Sequence, residues 1–114
     1  MSLAKRIAAK RAEQERMSVE VEEWGEGDKP LLLYYGPVTA RDIEKVQRKY
    51  KDFLNHVSMG AMVEMIILKC QMKDGEAAFT LEDKPVLMGE PVGVVTKVFG
   101  AVFNSRSIED HEKN

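Results

Sequence analysis

The spacing of apolar residues changes along the chain, and each spacing predicts a different element. Ser18 to Gly25 reads Ser-Val-Glu-Val-Glu-Glu-Trp-Gly, with Val19 and Val21 alternating against Glu20 and Glu22, the period of a half-buried strand. Glu26-Gly27-Asp28-Lys29-Pro30 is dense in turn residues, and Leu31-Leu32-Leu33-Tyr34-Tyr35 follows as a second strand, so a β-hairpin is predicted over about 18–36. A lone two-stranded hairpin is marginal in water, so it must lie against helices or gain a strand from another subunit. After Gly36-Pro37 the period becomes helical. Thr39-Ala40-Arg41-Asp42 is a capping-box-like start, and Ile43, Val46, Tyr50, Phe53, Leu54 and Val57 fall on one face of a helix over about 39–57.

The next stretch has almost no polar face. Met59-Gly60-Ala61-Met62-Val63-Glu64-Met65-Ile66-Ile67-Leu68-Lys69-Cys70 is too long for an ordinary strand, carries Glu64 and Lys69, and falls short of the roughly 18 apolar residues of a membrane span. It predicts a helix over about 58–72 that must be covered by neighbouring helices, another subunit or a client. Met59, Met62 and Met65 recur every three residues. Their flexible thioethers suit either irregular core gaps or a surface that adapts to a variable partner. Lys73-Asp74-Gly75-Glu76 then forms a turn, and Phe79 returns to the core. Thr80-Leu81-Glu82-Asp83 starts a short helix over about 80–88, which Pro85 restricts and Gly89 stops. Pro91 opens a last helix over about 91–104, with Val92, Val95, Val98, Phe99, Val102 and Phe103 as its apolar face. The expected fold class is α+β and mostly helical, a hairpin packed on three to four helices.

Composition adds limits. With 114 residues, 32% charged and 44% hydrophobic, the chain fits one globular domain over 18–104, flanked by a basic arm or short helix at 1–17 and a polar tail at 105–114. The arm holds Lys5, Arg6, Lys10, Arg11 and Arg16 against Glu13 and Glu15, a balance of +3 that leaves −5 for the remainder. It lacks interleaved aromatics and any nucleic-acid motif, so no nucleic-acid partner is expected. Charges without an unbroken apolar region after them do not make a secretory signal, so a cytoplasmic protein with no membrane partner is expected. The lone Cys70 reads as a small core hydrophobe.

No nucleophile with a base, no paired carboxylates in an apolar pocket, no glycine-rich phosphate loop and no metal-ligand cluster stand at a persuasive spacing. His56 has no second ligand near it, Thr39 and Thr80 are explained as caps, and Glu20, Glu22 and Glu23 as the wet face of a strand. An enzyme is not expected, and neither a cofactor nor a metal.

The order of features then matters. A hairpin with a Glu-Trp-Gly corner, a polar helix opened by Val38-Thr39-Ala40-Arg41-Asp42, an apolar helix, the run Lys73-Asp74-Gly75-Glu76-Ala77-Ala78-Phe79-Thr80-Leu81-Glu82-Asp83 and a closing apolar helix resemble the small tail assembly chaperones of long-tailed bacteriophages and prophages. The likeness spans roughly Val19 to Asn104; the basic arm lies outside it. The resemblance implies a non-catalytic protein of the host bacterial cytoplasm that forms homo-oligomers and keeps the tape measure protein soluble during tail assembly. It also brings in the tail tube protein and a frameshift-extended form of the chain as further partners. On this reading Met59, Met62, Met65 and Ile66 supply adaptable client contacts, and Trp24, Tyr34 and Tyr35 rigid aromatic area. The alternative is a structural tail or head-tail connector subunit that remains in the virion.

Overall fold

The structure is a computed structural model that describes residues 2–113, with side chains described through Phe103. It contains a two-stranded antiparallel hairpin and five helices, 49% helix and 19% strand, an α+β, mostly helical fold. The elements run α1 (Leu3–Glu13), β1 (Met17–Glu26), β2 (Lys29–Tyr35), α2 (Ala40–Gln47), α3 (Met59–Lys69), a 3-10 turn (Leu81–Asp83), α4 (Lys84–Met88) and α5 (Val92–Lys113).

The hairpin follows from its turn and its alternation. The two-residue loop Gly27-Asp28 places a positive φ of 57° at Gly27, where a two-residue hairpin loop needs a residue without Cβ. Val19 pairs with Leu33 and Val21 with Leu31 on the inner face, while Glu20 stands opposite Leu32 on the outer face. Register then slips between Val21 and Glu26. Pro30 has no N–H to give to a ladder, and four β1 residues, Glu22 to Gly25, bulge against it. Gly25 is obligatory in that bulge, because a Cβ there would meet the Lys29 carbonyl oxygen at 2.0 Å.

The hairpin is not alone. Gln71 pairs with Tyr34 through hydrogen bonds of 2.7 and 2.8 Å in both directions, and also bridges Ala77. The added edge comes from the same chain. It also ends α3 at Lys69, earlier than residue 72, since Gln71 must be extended to reach β2.

α2 begins as predicted, with Asp42 N–H donating to Thr39 Oγ1 (3.2 Å) and Thr39 N–H donating to the Asp42 carboxylate (2.9 Å). It stops at Gln47, well short of residue 57, and residues 48–55 form tight turns. These turns send two aromatic residues to different partners. Phe53 is fully buried edge-on against Phe99 and Phe103, and Tyr50 turns toward α3. Such tertiary contacts outweigh helix propensity in a charged segment.

α3 is the central element, capped by Ser58 Oγ, which accepts from Ala61 N–H at 3.2 Å. It packs on α5, α4 and α2. Val63, Met65, Ile66 and Ile67 are buried, each contributing roughly 1.5–3 kcal/mol. α5 answers with Val94, Val95, Val98, Phe99 and Val102 at helical spacing. The helix predicted over 80–88 is divided into the 3-10 turn and α4, Pro85 sitting in the first turn of α4. The backbone of α5 continues through the segment expected as a polar tail as far as Lys113; side chains of 104–114 lie outside the described residues. α1, by contrast, buries nothing.

Candidate functional site

Glu64 and Lys69, the two charges inside the apolar run, are the tie points of α3. Lys69 Nζ donates to the Asp42 carboxylate at 2.7 Å and to the Pro37 carbonyl at 3.1 Å, joining the end of α3 to the start of α2. Burial alone would raise the Asp42 pKa, but the hydrogen bonds from Lys69 and Thr39 outweigh it and hold the carboxyl below its ordinary range. One turn earlier, Glu64 Oε2 accepts from Tyr50 OH (2.8 Å), from Lys49 Nζ (3.0 Å) and from Lys84 Nζ. Lys84 also donates to the Tyr50 oxygen at 2.8 Å. Gly60 makes the room: a Cβ there would lie 2.7 Å from the Tyr50 hydroxyl.

Burial pushes the Glu64 pKa up, yet the three donors overcome this and hold it at about 2. Its hydrogen bond to Glu64 raises the Lys84 pKa. Both groups therefore keep their charge near neutral pH, and neither is poised to move a proton. The Cys70 thiol is likewise withdrawn from chemistry, since burial pushes it up to about 12. Among the described residues no group of His, Cys, Asp or Glu could hold a metal ion.

What these ties leave open is a groove. It lies between α2, α3 and the 3-10 turn, has a volume of about 170 Å³, and is lined by Lys45, Val46, Glu64, Ile67, Leu68 and Leu81. Sites for whole small molecules are usually roughly 300–1,000 Å³, so this one is sized for one or two side chains. Leu81 is 66% exposed and Leu68 36%. The connection beyond Leu81 exposes Val86 (69%), Met88 (47%) and Val92 (63%), while only Leu87 of that segment turns inward.

The residues expected at a client are not gathered in one place. Met65, Ile66 and Tyr35 are buried in the core, at 0%, 1% and 3% exposure. Met65 and Ile66 turn to the side of α3 that the other helices cover, and Tyr35 takes the inner face of β2 because its neighbour Tyr34 takes the outer. Met59 and Met62 are half-buried against the core. Trp24 packs edge-to-face on Phe79, ring centres 5.8 Å apart, and donates its indole N–H to Glu90. Tyr34 lies under the Arg16 guanidinium, 4.9 Å from its ring centre.

Spacing along the chain does not single out the groove residues Leu68 and Leu81, nor the exposed Val86 and Met88 after them. A signal existed: Leu81, Val86, Leu87 and Met88 are too many apolar residues for a Pro- and Gly-bounded helix to bury. No helix among the described residues is long and apolar enough to cross a membrane. No protein-family model, curated protein or solved structure matches the chain.

Proposed function

We propose that this chain is a non-catalytic assembly chaperone of a phage or prophage tail, acting in the host bacterial cytoplasm and holding apolar segments of the tape measure protein until the tube closes around it. The observation that carries the reading is the side-chain-sized groove with Leu68 and Leu81 in its lining, followed by exposed Val86, Met88 and Val92. A long helical client presents single apolar side chains at intervals, and a shallow groove on a small subunit can engage one such side chain per copy. Lys45 lines one side of the groove and Lys49 lies beside Glu64, so acidic residues flanking the apolar anchor would be favoured. The rigid ties at Glu64 and Lys69 keep the groove formed before a client arrives, which lowers the ordering cost of binding.

Met59 and Met62 remain candidates for secondary contact at the edge of this surface. The tail tube protein and a frameshift-extended form of the chain belong to the same proposal as further partners. The test is co-expression with the tape measure protein of the same genome, followed by mass spectrometry of purified virions. Co-elution with a soluble tape measure protein, together with absence from virions, is the expected result. Stoichiometric presence in virions without tape measure binding would transfer the chain to the structural-subunit class.

A further inference from the structure

α1 has an unusual position for an ordered helix. Ser2 Oγ accepts from Lys5 N–H at 3.1 Å and caps it, yet Leu3 is 61% exposed and Ile7 58%, and no residue of the helix is buried. Eleven isolated helical residues are marginal in water, so a partner surface is needed to keep them folded. Leu3, Ala4, Ile7 and Ala8 share one side, and Lys5, Arg6, Lys10 and Arg11 flank it, with Glu13 the only acid.

The base of this helix is fixed. Arg16 donates to Gln71 Oε1 (3.0 Å), to the Met72 carbonyl (3.1 Å) and to the Lys73 carbonyl (2.7 Å), and its guanidinium covers Tyr34 on the outer face of the hairpin. Only Gln14 and Glu15 separate that clamp from the helix end. The take-off point is therefore pinned to the body while the apolar side of α1 is left uncovered.

The hairpin carries the opposite chemistry. Between Ser18 and Asp28 stand Glu20, Glu22, Glu23, Glu26 and Asp28 with no cation among them; Glu23 reaches Lys97 at 3.9 Å. Glu20 is exposed on the outer face directly across from Leu32, itself 38% exposed. The free edge of β1 bears the same glutamates, so two hairpins pairing edge to edge would bring like charges together.

We infer that the basic helix α1 docks on the outer face of the hairpin of a second copy of this chain, Leu3 and Ile7 against Leu32, and Lys5, Arg6, Lys10 and Arg11 toward Glu20 and Glu22. A second copy supplies both the acid and the apolar contact, and reciprocal exchange of the two helices gives a closed, two-fold pair. Because the attraction is between exposed charges, it weakens with salt.

The test is sedimentation equilibrium on the full chain and on two charge-reversed forms. One carries Lys5→Glu, Arg6→Glu, Lys10→Glu and Arg11→Glu; the other carries Glu20→Lys and Glu22→Lys. All six positions are exposed, and circular dichroism verifies that both forms fold. The expected result is a salt-sensitive dimer for the parent chain, association at least about tenfold weaker for each form alone, and recovery when the two are mixed, since each then meets its opposite charge. A parent chain that stays monomeric would overturn the inference, whether α1 folds back on its own hairpin or binds anionic vesicles instead. Failure of the mixture to re-associate would overturn it equally.

Discussion

Replacing Glu64 by Gln removes one charge and keeps the shape of the groove floor. The carboxylate is held at about 2 against an ordinary 4.5. At about 1.4 kcal/mol for each tenfold change in protonation, that difference corresponds to about 3 kcal/mol. Glu64 and Lys84 are only 15% and 22% exposed at the side chain, but Lys49 is 62% exposed and screened, so about 1.5–2 kcal/mol is the expected loss at pH 7. The sign is fixed by the direction of the shift. A lowered carboxylate contributes its full stability above about pH 4.5 and loses it as pH falls toward 2. Urea unfolding of the parent chain should therefore weaken across that window. Glu64→Gln should start lower at neutral pH and show a flatter acid decline, the remaining slope coming from groups such as Asp42. A double-mutant cycle with Lys84→Met should return a coupling near 1 kcal/mol. A Glu64→Gln loss under about 0.5 kcal/mol with an unchanged pH profile would refute the claim that this ion cluster builds the groove.

Other outcomes follow from packing. Gly25→Ala should cost more than about 2 kcal/mol in a urea melt, because its Cβ would run into the Lys29 backbone, whereas Gly100→Ala in α5 meets open space and should stabilise by about 0.5–1 kcal/mol. Met65→Ala should lose about 2–5 kcal/mol, as a fully buried thioether does, while Leu81→Ser should leave the melt within about 0.5 kcal/mol. Cys70 should stay silent toward a thiol reagent in the native chain and react fully once the chain is unfolded in urea.

The hairpin was legible because alternation, a Gly-Asp turn and a proline all agreed, and the slip around Pro30 added only a bulge to that plan. The apolar face of α5 was legible for the same reason, a clean helical period. The region from Arg48 to Asn55 was not. Its helical spacing fitted a continuous helix, but burying Phe53 among Phe99 and Phe103 and sending Tyr50 to Glu64 are long-range choices that local pattern does not record. The methionines show the same limit. Their spacing places Met59, Met62 and Met65 near one another on α3, yet which side of a mostly apolar helix is sealed depends on where α5 and α4 lie. The part of α3 that lines the groove is marked by Glu64 and Leu68, four residues apart. Leu81 joins them only through the fold.

The proposed contact between the groove and the tape measure protein can be trapped covalently. A photo-activatable benzoylphenylalanine placed at Leu81, with the same group at Asp28 in the hairpin turn as control, should be irradiated during co-expression with the tape measure protein of the same genome. A covalent adduct with the tape measure protein is expected from position 81, lost when Leu68→Asp is added, and none from position 28. A soluble tape measure protein that forms no adduct at position 81, or adducts of equal yield from both positions, would contradict it.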